Sequence, residues 1–194
     1  MPFSIPRCVP AALAATSVAA QAAAAASLPP QPLMPRNECM EGADKVCYGI
    51  DGGQSQNLDV EMVQYAALYL RYLGQTSGKK PARYTMPALG AGEGGCQEWA
   101  IALPKGTGIL LLAKHTNPSF ASSVTYEDMA DSIDGSEGAT DAERKAALLG
   151  CGTNGGQRGV VAKSSNPAYQ TQEYKSTGAK PEGIVIKLIG APDF

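Results

Sequence analysis

The clearest pattern in this sequence is a set of apolar residues that recur every three or four positions in its first half. The set consists of Leu58, Met62, Tyr65, Ala66, Tyr69, Leu70 and Leu73. Residues at this spacing share one face of an α-helix. Asn57 is a suitable N-cap, and the helix dipole favours Asp59 and Glu61 in the first turn. Gly74 provides a C-terminal stop, so the pattern predicts an amphipathic helix over residues 58–73.

Three tyrosines, Tyr65, Tyr69 and Tyr72, follow one another along this predicted helix. Aromatic side chains bury large areas, so these rings are expected to pack in the core or at its boundary. A stripe of ligand-binding rings on the helix is the alternative interpretation.

Short apolar runs bounded by glycine and proline predict the strands. The predicted strands are residues 83–86, 97–103, 107–114, 158–163 and 183–189. A tight turn at residues 104–106 separates the second of these from the third. Residues 109–113 are continuously apolar, as is expected of a central strand that is covered on both faces.

Two further helices are predicted from their capping residues. Thr125 stands three residues before Asp128, and the helix that it begins is expected to end at Gly135. Thr140 stands three residues before Glu143 and forms a capping box for the next helix. The order of elements predicts an α+β fold, in which an antiparallel sheet carries two or three helices packed on one face as an α/β sandwich.

The first 26 residues differ in composition from the rest of the chain. One positive charge near the start is followed by an uncharged, alanine-rich stretch that ends in small residues. This is the pattern of a secretory signal peptide over residues 1–26. Residues 27–36 are rich in proline and are predicted to be a pro-segment or linker. They end in Leu33-Met34-Pro35-Arg36, which resembles the sites that fungal proteases cut in secreted toxins and effectors. Residues 37–194 are then predicted to form a single secreted domain.

The charge balance excludes one class of partner. Lys and Arg number 16 and Asp and Glu number 18 among 194 residues, which gives a net charge of −2. With no basic excess, binding of nucleic acid driven by charge is not expected. No run of 18 apolar residues follows the N-terminal segment, so an integral membrane protein is not expected either. The chain is expected to act as a monomer.

The cysteines predict a disulfide-stapled domain. The chain has five cysteines, and Cys8 falls within the predicted signal peptide. Cys39, Cys47, Cys96 and Cys151 remain, and four cysteines in a secreted chain imply two disulfides. We expect both bridges to be non-local, because long loops gain more stability than a Cys39–Cys47 bridge would. Two pairings join Cys39 and Cys47 to Cys96 and Cys151, and both satisfy this expectation. A zinc site is a weaker alternative, since there is no C-x-x-C pair and only one histidine.

Four carboxylates lie close together at the start and middle of the predicted second helix. They are Glu127, Asp128, Asp131 and Asp134. A solvated helix face that begins with acidic residues is the preferred interpretation. A calcium site is the alternative, but the Asp-x-Asp-x-Asp loop with a following Glu is absent. No cofactor or metal is expected.

Three residues of the chain suggest one catalytic arrangement. His115 as general acid, Glu98 as base and Arg158 as the group that stabilises developing negative charge would suit ribonuclease chemistry. The stretch that runs from Cys96 through Glu98 to Ile101 resembles the Glu-Trp strand of small secreted fungal ribonucleases. That family usually supplies two histidines, whereas this chain has one.

The order of cysteines, helices and strands resembles the killer protein 4-like family of fungal toxins and effectors. The matching features span residues 39–189 and are Cys39, Cys47-Tyr48-Gly49, the helix from Leu58, Cys96, the strand over 108–113, a Ser-capped helix over 122–133, Gly150-Cys151-Gly152 and the final strand over 184–189. The chain differs in having a single cysteine where the family has C-x-x-C-G, and in an apparent insertion over residues 135–147.

This resemblance implies a secreted, non-enzymatic α/β sandwich that acts on a host plant or on competing microbes. The target is unknown, and a membrane protein is one option. No position matches the lysine on which calcium-channel inhibition by the founding toxin depends, so that activity is not carried over. The alternative is a small ribonuclease-like enzyme, or a catalytically dead derivative of one, that uses Glu98, His115 and Arg158.

Overall fold

A five-stranded antiparallel sheet is the framework of the part of the chain described by the computed structural model, which covers residues 39, 41–78, 82–89 and 95–191. The predicted signal peptide over 1–26 and linker over 27–36 lie outside the described residues. In chain order the elements are β1 (Val46–Cys47), α1 (Val60–Thr76), β2 (Arg83–Met86), β3 (Trp99–Ile101), β4 (Ile109–His115), β5 (Ser122–Thr125), α2 (Tyr126–Asp134), α3 (Asp141–Ala146), β6 (Gly156–Gly159), α4 (Gln172–Ser176) and β7 (Ile184–Gly190), with 3₁₀ helices at Leu148–Asn154 and Pro167–Tyr169. The predicted α+β class is confirmed.

The sheet has the strand order β1-β6-β7-β4-β3, and every neighbouring pair is antiparallel. Side chains alternate between two faces along each strand. On the helix face, Leu111 of β4 lies opposite Leu188 of β7, and both belong to the main core. On the other face, here called the outer face, Leu112 lies opposite Lys187 and is also buried. The prediction that β4 is a strand covered on both faces is therefore confirmed.

Helices α1 and α2 cover the helix face of the sheet and pack closely against each other. The core side of α1 presents Val63, Ala66 and Leu70, which are almost completely buried. Gly74 lies within α1 and does not end it as predicted, because the helix continues to Thr76. A Cβ atom at Gly74 would lie 3.4 Å from the Cβ of Tyr126 at the start of α2. Gly74 therefore permits a close contact between the two helices.

The helix caps follow local side-chain chemistry. Thr125 accepts a hydrogen bond from the Asp128 backbone at the start of α2, and Gly135 ends this helix with φ of 94°. Thr140 and Glu143 form the predicted capping box of α3. The N-cap of α1 is Asp59 and not Asn57 as predicted, because the Asp59 carboxylate accepts from the Glu61 backbone N–H.

A two-stranded ribbon of β2 and β5 stands apart from the main sheet. The strand predicted over residues 83–86 is present, but its partner β5 occupies the beginning of the stretch matched to a Ser-capped helix. Helix α4 and the preceding 3₁₀ helix were also not predicted. These short elements lie in a polar segment whose sequence has no regular apolar period, so tertiary contacts decide their conformation.

Both disulfides are non-local, as predicted. Cys39 pairs with Cys96 over a separation of 57 residues, and Cys47 pairs with Cys151 over a separation of 104 residues. Such bridges persist in oxidising environments. They fasten the segment before β1 to the sheet, where the Gly159 backbone N–H also donates to the Ala43 carbonyl. Among the helices of the described residues, none is both long enough and apolar enough to span a bilayer.

Candidate interaction surface

His115 is an internal side chain on the helix face of the sheet. It is completely buried at the end of β4, opposite Ile184 of β7. Its Nε2 lies 3.0 Å from the Pro87 carbonyl oxygen, and its Nδ1 lies 3.5 Å from Oγ of Ser122. Burial lowers the pKa of His115, although the Pro87 contact acts in the opposite direction. Burial therefore favours the neutral form of the imidazole ring, and contacts with Pro87 and Ser122 inside the domain hold the ring in place.

The structure does not bring the three residues of the ribonuclease-like arrangement together. Arg158 of β6 lies opposite Ile186 on the helix face and donates from Nη1 to the Ala146 carbonyl at 2.7 Å. Glu98 binds Lys187, whose side chain lies on the outer face. The sheet therefore separates Glu98 from His115 and Arg158, so these three side chains do not share a site.

The outer face carries a balanced group of two lysines and two glutamates. Lys187, only 8% exposed, donates to Glu98 and, at 2.7 Å, to Glu41, whereas Lys114 lies 3.1 Å from Glu41. Burial alone would lower the pKa of Lys187, but its hydrogen bonds to the two carboxylates outweigh that effect and raise it. Glu41 belongs to the segment between Cys39 and β1. These ion pairs therefore also attach the segment that contains Glu41 to the sheet.

The carboxylates of α2 do not form the solvated face that was predicted. Arg71 of α1 is 5% exposed and donates to Glu127 at 2.9 Å, to Asp131 at 2.8 Å and to both carboxylate oxygens of Asp134. Lys163 also binds Asp131. These hydrogen bonds raise the pKa of Arg71 further above its ordinary value, although burial opposes them. The acidic residues thus bind a cation supplied by the neighbouring helix.

Asp128, the fourth carboxylate, is completely buried. Thr125 and Tyr169 donate to it from their hydroxyl groups, and the Lys163 backbone N–H donates to its second oxygen. Burial raises the pKa of Tyr169, as does its hydrogen bond to Asp128. Asp128 therefore fixes the segment after β6 onto α2. Within the described ranges, no group of three His, Cys, Asp or Glu side chains is arranged to hold a metal ion.

The outward face of α1 carries large apolar side chains in place of the usual charges. We call Tyr65, Leu68, Tyr69 and Tyr72 the tyrosine face. Leu68 is 58% exposed, Tyr72 is 55% exposed and Tyr65 is 37% exposed. The rings of Tyr65 and Tyr69 have centroids 6.3 Å apart, and those of Tyr69 and Tyr72 are 5.9 Å apart, with nearly parallel planes in both pairs. The prediction that the three rings pack in the core or at its boundary is wrong for Tyr72, which is exposed, whereas Tyr65 and Tyr69 are partly covered and lie at the boundary.

None of the four side chains of the tyrosine face is charged, although Glu61 stands one turn before Tyr65 on the same side of the helix. The charged residues of α1 are Glu61, in its first turn, and Arg71, which is buried against the carboxylates of α2. The usual arrangement of a surface helix, with charges outside and apolar residues inside, is thus partly inverted. Exposed apolar patches of this kind, rich in tyrosine and depleted in charge, are typical of protein interaction sites.

Sequence periodicity located α1 and most of its core side, because Leu58, Ala66 and Leu70 are buried as predicted. The buried side extends from these residues to Val63 and Ala67 instead of to the tyrosines. The composition of α1 does indicate an exposed apolar face, because a surface helix with so few charged residues has no conventional polar face. Comparison of the chain with protein-family models, with curated proteins and with solved structures finds no match.

Proposed function

We propose that this chain is a secreted, non-enzymatic effector or toxin-like protein that acts on a host plant or on competing microbes by binding a protein target. The observation that carries the proposal is the tyrosine face of α1, where exposed apolar and aromatic side chains lie together without a charge among them. The two non-local disulfides support it, because they suit a small domain that works outside the cell.

The chemistry of the tyrosine face indicates the kind of target. Tyr65, Leu68, Tyr69 and Tyr72 follow the i, i+3, i+4 and i+7 spacing with which a helix docks into an apolar groove. Tyrosine hydroxyls form hydrogen bonds at the rim of such a groove while the rings bury apolar area. The proposed target is therefore a protein surface with an uncharged apolar groove that offers hydrogen-bond acceptors at its edge.

A single charge placed on this face tests the proposal. Leu68→Glu introduces a carboxylate at the centre of the face, and Val161→Glu is a matched control because both residues are 58% exposed. We expect the purified secreted protein to inhibit the growth of fungi or of plant seedlings. Leu68→Glu should lose at least about tenfold in potency, as expected when a charge must be desolvated in an interface. Val161→Glu should retain the activity.

Two outcomes would count against this proposal. Equal loss of potency in both variants would mean that the tyrosine face is not the contact surface. A wild-type protein without effect on either kind of organism would remove the effector interpretation itself.

Secretion has its own test. Expression of the full chain in a fungal host should release a product that lacks residues 1–26, and N-terminal sequencing identifies where it begins. A start near residue 37 would establish cleavage after Arg36. Recovery of a product that retains Met1 would contradict secretion by this signal.

The ribonuclease-like alternative gains no support from the positions of its three residues. Glu98 lies on the outer face of the sheet, and His115 is completely buried on the helix face. We expect neither the wild-type protein nor His115→Ala to cleave single-stranded RNA. Turnover by the wild type that disappears in the variant would establish the alternative, because removing a general acid lowers a rate by roughly 10²–10⁴-fold.

A further inference from the structure

A cleft separate from the tyrosine face lies between the β2–β5 ribbon, the end of α1 and helix α4. Its volume is about 460 Å³, within the range of about 300–1,000 Å³ that is usual for small-molecule sites. The described residues that line it and matter here are Arg83, Thr85, Ser123, Tyr126, Glu173 and Thr177. The described part of the lining thus combines one cation and one anion with hydroxyl groups and an aromatic ring.

Arg83 lines this cleft, and one nitrogen of its guanidinium group has no partner among the described residues. Its side chain is 11% exposed, and Nη2 donates to Glu173 at 3.1 Å. Nη1 is buried and has no hydrogen-bond acceptor among the described residues. A buried donor of a charged group without an acceptor is unfavourable and uncommon in folded proteins. The unused donor therefore points to an acceptor that a ligand would supply.

The Tyr174 ring supports the guanidinium group of Arg83 and fixes its position. It lies 5.2 Å from the centroid of the Tyr174 ring. The Tyr174 hydroxyl in turn donates to the Ser123 carbonyl at 2.9 Å, and the ring is buried. Glu173, by contrast, is 68% exposed and binds through a single oxygen. An exposed side chain in one hydrogen bond is easily displaced, whereas the guanidinium on its aromatic support stays in place.

The charges of the described residues that line the cleft limit the class of ligand. A carboxylate can accept from Nη1 and Nη2 together, in the bidentate geometry that suits arginine. Glu173 nearly balances the charge of Arg83, so a ligand with two negative charges would be repelled by the remaining carboxylate. The hydroxyls of Thr85 and Ser123 bind each other at 2.8 Å, and Tyr126 adds apolar area beside them. We propose that this cleft binds a small organic monocarboxylic acid through Arg83, with Glu173 displaced from the guanidinium.

Titration of the secreted protein followed by amide NMR tests this proposal. The probes are acetate and benzoate, with benzamide as the neutral counterpart of benzoate and inorganic phosphate as the more highly charged anion. Benzoate should shift the amide signals of cleft residues at millimolar concentrations, and benzamide and phosphate should bind at least several-fold more weakly. Equal affinity for benzoate and benzamide would overturn the proposal, as would the absence of shifts with both acids.

Three variants separate recognition by Arg83 from general electrostatics. Arg83→Gln should weaken benzoate binding by roughly tenfold or more. Glu173→Gln should tighten it several-fold, because it removes the competing carboxylate. Lys175→Gln, a loss of one exposed positive charge on the same helix, should leave the affinity unchanged. If Arg83→Gln does not fold, the exposed Glu173 position still decides the matter: unchanged or weaker binding by Glu173→Gln would refute the displacement.

Discussion

Replacing Arg71 by methionine removes the cation that joins α1 to α2 while keeping an unbranched side chain of similar length. In the folded protein Arg71 is 5% exposed and binds three carboxylates, of which Asp131 is 9% exposed, Asp134 is 18% exposed and Glu127 is 51% exposed. After the substitution, Asp134 would lose its only cationic partner among the described residues. Asp131 would keep its contact with Lys163.

The exposure of each carboxylate sets the expected cost. Removing one partner of a buried ion pair costs about 3–5 kcal/mol, whereas an exposed pair contributes about 0–1 kcal/mol. Glu127 therefore contributes little to the loss of stability. Most of that loss comes from the two Asp134 oxygens that pair with Arg71 and from Asp131. We expect Arg71→Met to lower the free energy of unfolding by about 3 kcal/mol. For a domain of this size the melting temperature should fall by roughly 6–12 °C.

Urea denaturation of two further variants distinguishes the ion pairs from simple packing. Lys163→Met removes a cation that is 58% exposed and should cost less than about 1 kcal/mol. Arg71→Met combined with Asp134→Asn should recover about 1 kcal/mol relative to Arg71→Met alone, because it removes the unpaired carboxylate. If Arg71→Met is no more destabilising than Lys163→Met, the reasoning is wrong and the carboxylates are solvated as the sequence suggested.

Two further predictions concern the bridges and the buried histidine. Alanine at both Cys47 and Cys151 should lower the free energy of unfolding by about 3–5 kcal/mol. This loss should exceed that caused by alanine at both Cys39 and Cys96, because the Cys47–Cys151 bridge closes the longer loop. Urea titration compares the two variants, and the reverse order would contradict the chain-entropy argument. Because burial lowers the pKa of His115, the unfolded chain holds that proton more tightly, and stability should fall as the pH drops below about 6.5. His115→Gln should reduce this loss in urea midpoints measured across that range, and an equally steep loss in the variant would assign it to other groups.

The parts of the fold that sequence predicts well are those governed by local chemistry. Thr140 and Glu143 begin α3 as expected, because a capping box involves atoms only three residues apart. The continuous apolar run in β4 likewise marks a central strand. By contrast, the two-residue strand β1 is formed by pairing with β6, more than a hundred residues away in the chain. Such a short strand has no pattern of its own.

The candidate sites depend on which side of a helix meets its neighbour, and a short apolar pattern leaves this open. In α1 the apolar residues extend around more than one side of the helix, and the core takes the small Ala66 and Ala67 while Leu68 is exposed. Small residues allow α1 and α2 to approach closely, and the acidic residues of α2 then draw Arg71 inward. The sequence contains both halves of this ion cluster, but only the fold shows that they meet.

The two disulfides interleave along the chain, since Cys47 lies between Cys39 and Cys96, and Cys96 lies between Cys47 and Cys151. A single proteolytic cut anywhere from Cys39 to Cys151 consequently leaves at least one bridge spanning the break. The two fragments stay joined as one covalent molecule, and the packed sheet can hold them in register. A molecule nicked once in this interval by an extracellular protease would therefore keep its mass, apart from one added water, and a nick outside α1 would also leave the helix that carries the tyrosine face uncut.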